Sequence, residues 1–304
     1  MKNLLRSKTS IRAIFLALTL FLPLSCGQIT EVEDNPNDVP DLNGIAQVEI
    51  VTWNLEQFPL EGSATEDSVI KLMRGLNADI FCLQEIQNPA VLERVVSNLD
   101  NYAVYSSEFT DYMRLAVVYR VSDFDVWDVS ELFVDDDYPF AGRPPLRVDF
   151  TFRGANEFPF TVINLHMKAF GDPESIERRR EAAGILHTYL DSVRAAGVDT
   201  NLVVVGDWNN DLTNMSNANP YYIFWEDAEA YRFLTYDLAT DASDFYDSYP
   251  GWPSFLDHIL VSKALFDEAE NNDVETLRLD DYMDRYLSVV SDHRPVSWQF
   301  IPNY

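Results

Sequence analysis

Two hydrophobic rhythms alternate along residues 46–300. Residues 48–55 are β-rich and end in Trp53-Asn54; Ser63-x-x-Glu66 then gives a capping-box signature before Val69, Leu72, Met73 and Leu76 at helical spacing. The pattern repeats. Residues 79–83 (DIFCL) form a short apolar strand running into Gln84-Glu85, and Asn88-Pro89 opens a helix with Leu92, Val95, Val96 and Leu99 on one face. Residues 102–106, 115–120, 124–129 and 146–152 read as strands joined by short turns, so an antiparallel section follows the two strand–helix units, and 160–165 adds a further strand. Asp172-Pro173 opens the longest helix, with Ile176, Ala183, Leu186, Leu190 and Val193 inward and Gly197 as its stop; Arg178, Arg179 and Arg180, between Glu177 and Glu181, read as a solvated face. Residues 201–205 are a nearly all-apolar strand ending at Gly206-Asp207, and strands at 256–261 and 295–300 close the chain. With no repeat of 20–50 residues, this predicts one α/β domain whose functional residues lie where strands end.

The N-terminus follows neither rhythm. Lys2, Arg6, Lys8 and Arg12 precede an unbroken apolar run at 13–22 that ends in Pro23-Leu24-Ser25-Cys26, the layout of a secretory signal. The run is about half the length that a bilayer-spanning helix needs. Cys26 after Leu-Ser resembles a bacterial lipobox, with Pro23 where Leu is more usual, so residues 1–25 are expected to be cleaved and the mature chain to begin at a lipidated Cys26, outside the cytoplasm and held to a membrane. Plain secretion is the alternative. Residues 26–45, rich in Asp, Asn, Glu and Pro, read as an acidic tether, and the folded domain is expected to occupy 46–304.

Charge narrows the function classes. The 304 residues carry 50 acidic against 22 basic side chains, a formal charge of −28. Cleavage after residue 25 removes four basic and no acidic residues, leaving −32. A field of this sign repels nucleic acid and anionic membranes, so an anionic substrate has to be caught locally. Two cysteines exclude a multi-disulfide scaffold and any zinc site of two to four thiolates.

Polar residues recur just past strand ends: Asn54, Glu85, Asn164 with His166, Asp207 with Asn209, Asp257 with His258, and Asp292 with His293. One such residue is most simply a turn or cap. Strand ends on one side of a sheet converge, however, and six clusters of carboxylates, carboxamides and imidazoles at six ends suit phosphoester hydrolysis. That chemistry needs a hard cation on the phosphate oxygens, a base for water and donors for developing charge. Oxygen donors favour Mg²⁺, with Mn²⁺ or Ca²⁺ as alternatives, over zinc.

The blocks TWNLEQF (52–58), DIFCLQEI (79–86), NLHMKA (164–169), GDWNND (206–211), LDHIL (256–260) and SDHRPV (291–296) resemble, in order, those of the endonuclease/exonuclease/phosphatase superfamily, which includes deoxyribonuclease I, abasic-site endonucleases, sphingomyelinases and inositol-phosphate phosphatases. The resemblance implies a four-layer α/β sandwich, two mixed β-sheets face to face with helices outside. It implies Asn54, Glu85 and Asp292 at the metal, with Glu85 the principal ligand, and His293 as general base oriented by Asp257. Asp207 and Asn209 would position water and phosphate, His166 would donate to a phosphate oxygen or the leaving group, and Arg143 in GRPPLRVDF would bind the phosphate. Two positions depart from the pattern: Trp208 stands where Phe is commoner, and Met113 stands where the deoxyribonuclease branch has a Glu that orients its second histidine, with Asp111 the nearest acid.

The remaining singular residues have plainer readings. His187 lies in the long helix with no acidic partner suggested by the sequence, His258 points to the opposite strand face from Asp257, and Cys82 is a buried small hydrophobe. Tyr221, Tyr222, Phe224, Trp225, Tyr249, Trp252 and Phe255 suit a base-stacking or lipid-contacting rim, or core packing. The expected activity is a monomeric phosphodiesterase acting on DNA or RNA; a phospholipid phosphodiesterase or small-phosphate phosphatase is the second reading, and a non-enzymatic surface binding protein the third.

Overall fold

The computed structural model describes residues 39–44, 47–197, 200–214, 216–270 and 273–303; the expected signal segment and Cys26 lie outside them. The elements are β1 (Val48–Phe58), α1 (Ser63–Leu76), β2 (Ile80–Ile86), α2 (Pro89–Ser97), β3 (Tyr102–Ser106), β4 (Arg114–Arg120), β5 (Phe124–Glu131), β6 (Leu146–Arg153), β7 (Glu157–His166), α3 (Pro173–Ala196), β8 (Leu202–Asp207), α4 (Tyr222–Glu226), β9 (Tyr231–Phe233), α5 (Tyr236–Ala239), β10 (Asp257–Ser262), β11 (Asp273–Thr276), α6 (Tyr286–Val289) and β12 (Val296–Phe300). Twelve strands form two six-stranded mixed sheets, ordered β11-β12-β1-β2-β4-β3 and β5-β6-β7-β8-β10-β9. Each has one parallel pair at its centre, β1 with β2 and β7 with β8.

Alternation along β1 explains the layering. Val48 and Ile50 face the other sheet, where they join Val148, Val162 and Val204 in one apolar cluster. Val51, Trp53 and Leu55 face outward and are covered by Val69, Leu72 and Met73 of α1 and Leu92 and Val95 of α2. On the second sheet, Ala183, Leu186 and Leu190 of α3 close the outer face. This is the expected sandwich.

Two local expectations fail. Ser63 does not cap α1: Gly62 holds the cap position without a side-chain bond, and Glu66 instead receives Arg94 Nε and Nη2 at 3.1 and 2.8 Å. The start near Ala46 is also late, because Leu42 is buried in the outer cluster and its N–H donates to Leu76 O at 2.9 Å, tying residues 39–44 to the end of α1. The caps at Asn88 and Asp172 form, each side chain accepting from the N–H three residues on, and Gly197 ends α3 at φ 66°. No helix among the described residues is long and apolar enough to cross a membrane.

Polar bonds cross the interior between the sheets. Gln84 Nε2 on β2 reaches Asn164 Oδ1 on β7 at 2.7 Å, while Asn164 Nδ2 donates to Leu83 O and Ala116 O at 2.9 and 3.0 Å. Asn164 therefore fixes one sheet against the other, close to the strand ends where the chemistry gathers.

Candidate active site

Local backbone departures aim the strand-end side chains. The β1–β2 pairing shifts register between Asn54 and Phe58, and β2–β4 shifts between Leu83 and Ile86. Inside these bulges Glu56, Gln57 and Glu85 take left-handed φ values of 38°, 53° and 61°. Such strain is characteristic of strands that re-aim side chains beside a site. Gly206, at φ 148°, matters for close approach instead. A Cβ there would lie 2.0 Å from Leu165 O, so only glycine lets β8 pass β7 closely enough to carry Asp207 beside His166.

Asn54, Glu85, His166, Asp207, Asp257 and His293 converge at one mouth. Asn54 Nδ2 donates to Asp207 Oδ2 at 3.0 Å and Glu85 Oε1 at 3.3 Å, bridging the two sheets, while its Oδ1 accepts Glu56 N–H at 2.9 Å. Glu85 Oε2 accepts Gln57 N–H at 2.9 Å. His293 Nδ1 meets Asp257 Oδ2 at 2.7 Å, and its Nε2 lies 3.8 Å from Asp207 Oδ2 and 3.9 Å from Asp292 Oδ1. Burial disfavours the charged ring, but Asp257, followed by Asp207 and Asp292, overrides it and holds His293 up at about 10. Burial pushes the Asp207 carboxyl up to about 7, with Asp257 adding to it and His293 opposing. Each group's charge therefore acts on the other's proton affinity across 3.8 Å.

His166 has the opposite character. Its Nε2 stands 3.4 Å from Asp207 Oδ2 and 3.9 Å from Glu85 Oε1, yet burial, then Arg143 and His293, hold it well below the usual imidazole value. These contacts are those of a neutral ring. Its Nδ1 is buried without a partner. Asp111 pairs with Arg114 at 2.6 Å, almost fully in solvent, and Met113 Sδ instead lies 3.3 Å from Arg143 Nη1. The oriented second histidine of the deoxyribonuclease branch is therefore not reproduced.

Arg143 is 7% exposed, donates through Nη2 to Met167 O at 2.8 Å, and lines a cavity of about 300 Å³ together with Glu85 and His166. Asn209, at φ 52°, donates Nδ2 to Met167 O at 3.2 Å, and its N–H goes to Asp207 Oδ1 at 2.9 Å. Its amide thus braces the loop carrying Asp207. His258 is fully buried: Nδ1 takes the Thr235 hydroxyl at 3.0 Å and Nε2 reaches Asn210 O at 2.9 Å, leaving no nitrogen for chemistry. Trp208 packs in the core with its Nε1 on His258 O at 3.1 Å.

Over residues 38–279 the chain matches the model of the Endonuclease/Exonuclease/phosphatase family. The chain belongs to that family. No curated protein sequence matches it. Among solved structures of the family's fold, the human Nocturnin catalytic domain with bound sulfate is 15% identical, with 85% of this chain and 95% of that one covered and a TM-score of 0.60. A D. rerio TDP2 complexed with a single-strand DNA product is 14% identical, with 84% and 99% covered and a TM-score of 0.62. The Neisseria 3′ phosphatase NExo bound to a product DNA hairpin is 19% identical, with 83% and 99% covered and a TM-score of 0.59.

The sequence reading overlooked or misjudged several residues around this site. Glu56 accepts Asp292 N–H at 3.0 Å, and its carboxyl is raised by burial, then by Asp292 and Glu85. Tyr249 lays its ring 4.9 Å from that of His293. Glu56 sits inside the TWNLEQF block, where the β1 bulge rather than the spacing turns it toward Asp292, and Tyr249 stood in the sequence only as one of the aromatic rim. Arg179, read as solvated, is 2% exposed and donates to Lys168 O and Phe170 O at 2.6 and 2.7 Å. His187 does have acidic partners, Asp227 at 3.1 Å and Asp191 at 3.6 Å; Asp191 stands one helical turn away and was legible. Of the aromatic group, Tyr221, Phe224 and Phe255 are core, whereas Trp252 is 78% exposed.

Proposed function

We propose that this chain is a divalent-cation-dependent phosphodiester hydrolase acting on nucleic acid. The observation that carries the reading is the His293–Asp257 pair, with Asp207 and the neutral His166 facing the same mouth as Glu85. Glu56, Glu85 and Asp292 crowd this mouth with no Lys or Arg partner among the described residues, an oxygen-only donor set that fits a hard cation such as Mg²⁺. Glu85 and Asp292, with the Asn54 carboxamide, would hold it. Bound there, the cation supplies Lewis-acid stabilisation of charge on the phosphoryl oxygens.

The side chains divide the remaining work. Asp257 fixes the His293 tautomer and orientation, and the His293–Asp207 couple supplies an acceptor for the attacking water's proton and a donor for the product side. Arg143, lacking a carboxylate partner, binds the scissile phosphate, and His166, neutral, donates a hydrogen bond to a phosphate oxygen. Asn209 keeps Asp207 in place. We further propose that the enzyme works outside the cytoplasm, anchored through Cys26, with residues 1–25 removed. A lipid phosphodiesterase is the second reading, favoured by exposed Trp252 three residues from the Tyr249 that covers His293.

Parallel assays on plasmid DNA, RNA, sphingomyelin and inositol phosphates with Mg²⁺ or Mn²⁺, using His293→Ala as the blank, test both readings. Metal-dependent cleavage of DNA or RNA, lost in the variant, is expected. Turnover of lipid alone replaces the nuclease reading, and activity in His293→Ala equal to that of the unaltered protein refutes the acid–base assignment.

A further inference from the structure

The cavity that holds Arg143 extends beyond it. Lys168, Arg178, Tyr112 and Phe170 line the same space as Glu85 and His166. Three cations facing one cavity is an unusual concentration in a chain with 22 basic and 50 acidic residues. Among the described residues none of the three forms an ion pair with a carboxylate. Arg143 is 7% exposed, lines this space, and keeps a buried Nε without a partner, so its guanidinium is desolvated and incompletely satisfied. Arg178 is held by Tyr138 O through Nε at 3.0 Å and by the Tyr138 ring, 4.0 Å from its guanidinium carbon. Lys168 Nζ lies 4.5 Å from the centre of the Phe170 ring and 3.2 Å from Ala169 O.

These cations are built in. Arg179, next to Arg178 on α3, bonds the carbonyls of both Lys168 and Phe170, which fixes the loop after β7 against the helix. Asp172, close enough to act on Lys168 electrostatically, is engaged in capping α3 through Ser175 N–H and Oγ at 3.0 and 2.7 Å. The Lys168 ammonium is held below its usual value by burial and then by Arg178, with Asp172 opposing and Arg143 and Arg179 adding, so its cationic neighbours outweigh the one acid that acts on it. A protein that repels anions globally and gathers three cations without ion-pair partners at one spot has built a local anion trap.

Arg143 and His166 already account for one phosphate. We propose that Lys168 and Arg178 form a second anion subsite beside the scissile phosphate, so the favoured substrate carries another phosphate next to the bond that is cut. This rests on the phosphodiesterase reading and deepens it. A nucleotide end and a polyol phosphate share the required chemistry, and the assay distinguishes them.

The test compares kcat/KM, and binding by calorimetry, for the dinucleotides TpT, pTpT and TpTp, and for inositol 1-phosphate against inositol 1,4-bisphosphate. One charge-assisted contact is expected to give about a tenfold preference for the substrate with the extra phosphate in at least one series. In the Lys168→Met/Arg178→Gln variant that ratio falls to near one, while Lys71→Met, an exposed charge control on α1, keeps it. A ratio near one in the unaltered protein, or a full ratio retained in the double variant, overturns the subsite. If no compound turns over, the phosphodiesterase reading falls, and the binding ratios still decide the subsite. A preference confined to one series says which source of phosphate it takes.

Discussion

Glu49→Gln is predicted to stabilise this protein at alkaline pH. Glu49 lies on the outward face of β1, fully buried, with Oε1 accepting Gly44 N–H at 2.9 Å and Oε2 unpartnered. Asp79 stands beside it, receiving Glu49 N–H on Oδ2 and Arg120 Nε on Oδ1 at 3.1 Å. Two carboxylates thus share one guanidinium in a dry place. Burial and then Asp79 push the Glu49 carboxyl up from 4.5 to about 8. Because the folded value is raised, the native state holds the proton more tightly than the unfolded chain. The stabilisation is full below about pH 4.5 and is lost as pH rises through about 8. At 1.36 kcal/mol per factor of ten in proton affinity, the whole penalty above pH 8 approaches ~5 kcal/mol. Asp79 is raised as well and shares it, leaving about 2 kcal/mol for Glu49. Glutamine keeps the acceptor for Gly44 and supplies a permanent donor toward Asp79. The variant should match the unaltered protein near pH 4.5 and exceed it at pH 9 by about 4–8 °C in Tm. Thermal unfolding followed by circular dichroism at the two pH values measures this. A variant less stable than the unaltered protein at pH 9, or a difference that does not change with pH, would refute the shared-proton argument.

Other consequences follow from named contacts. Asn164→Leu removes the partners of Leu83 O, Ala116 O and Gln84 Nε2 between the sheets and should cost about 3 kcal/mol in urea unfolding; a loss below about 1 kcal/mol contradicts the bridging role. Gly206→Ala should lower soluble yield or Tm sharply, because the new Cβ meets Leu165 O; normal stability would show that β7 and β8 can part. Asp257→Asn should leave the fold intact and reduce kcat at least ~100-fold, read against circular dichroism spectra, and kcat within about threefold of normal would remove Asp257 from the mechanism. Chelation with EDTA should abolish turnover and Mg²⁺ restore it, with Glu85→Gln shifting the Mg²⁺ requirement upward; an unchanged titration would exclude Glu85 as a principal ligand.

How far the sequence reached depends on the range of the physics involved. Strand and helix order, the caps at Asn88 and Asp172, the stop at Gly197 and the buried apolar stripe of α1 are local, set by periodicity and by side chains bonding their own neighbours. Asn54, Glu85, His166, Asp207, Asp257 and His293 were legible for a related reason, since each ends or borders a strand within a recognisable block. The short β9 and β11 were not, because three or four residues carry no period and exist only by pairing with β10 and β12. Arg179 looked solvated among other charges, and only the passage of the loops after β7 and β8 beside α3 gives it three acceptors and buries it. Tertiary structure likewise decided the proton chemistry. His166 and His293 are both buried rings; the second lies against Asp257, which overrides burial, and the first has burial reinforced by Arg143, so one ring is held charged and the other neutral. The sequence determined the elements and the reactive residue types, and the packing of segments 80 to 237 residues apart in the chain determined their charges, because burial and Coulomb forces act through space.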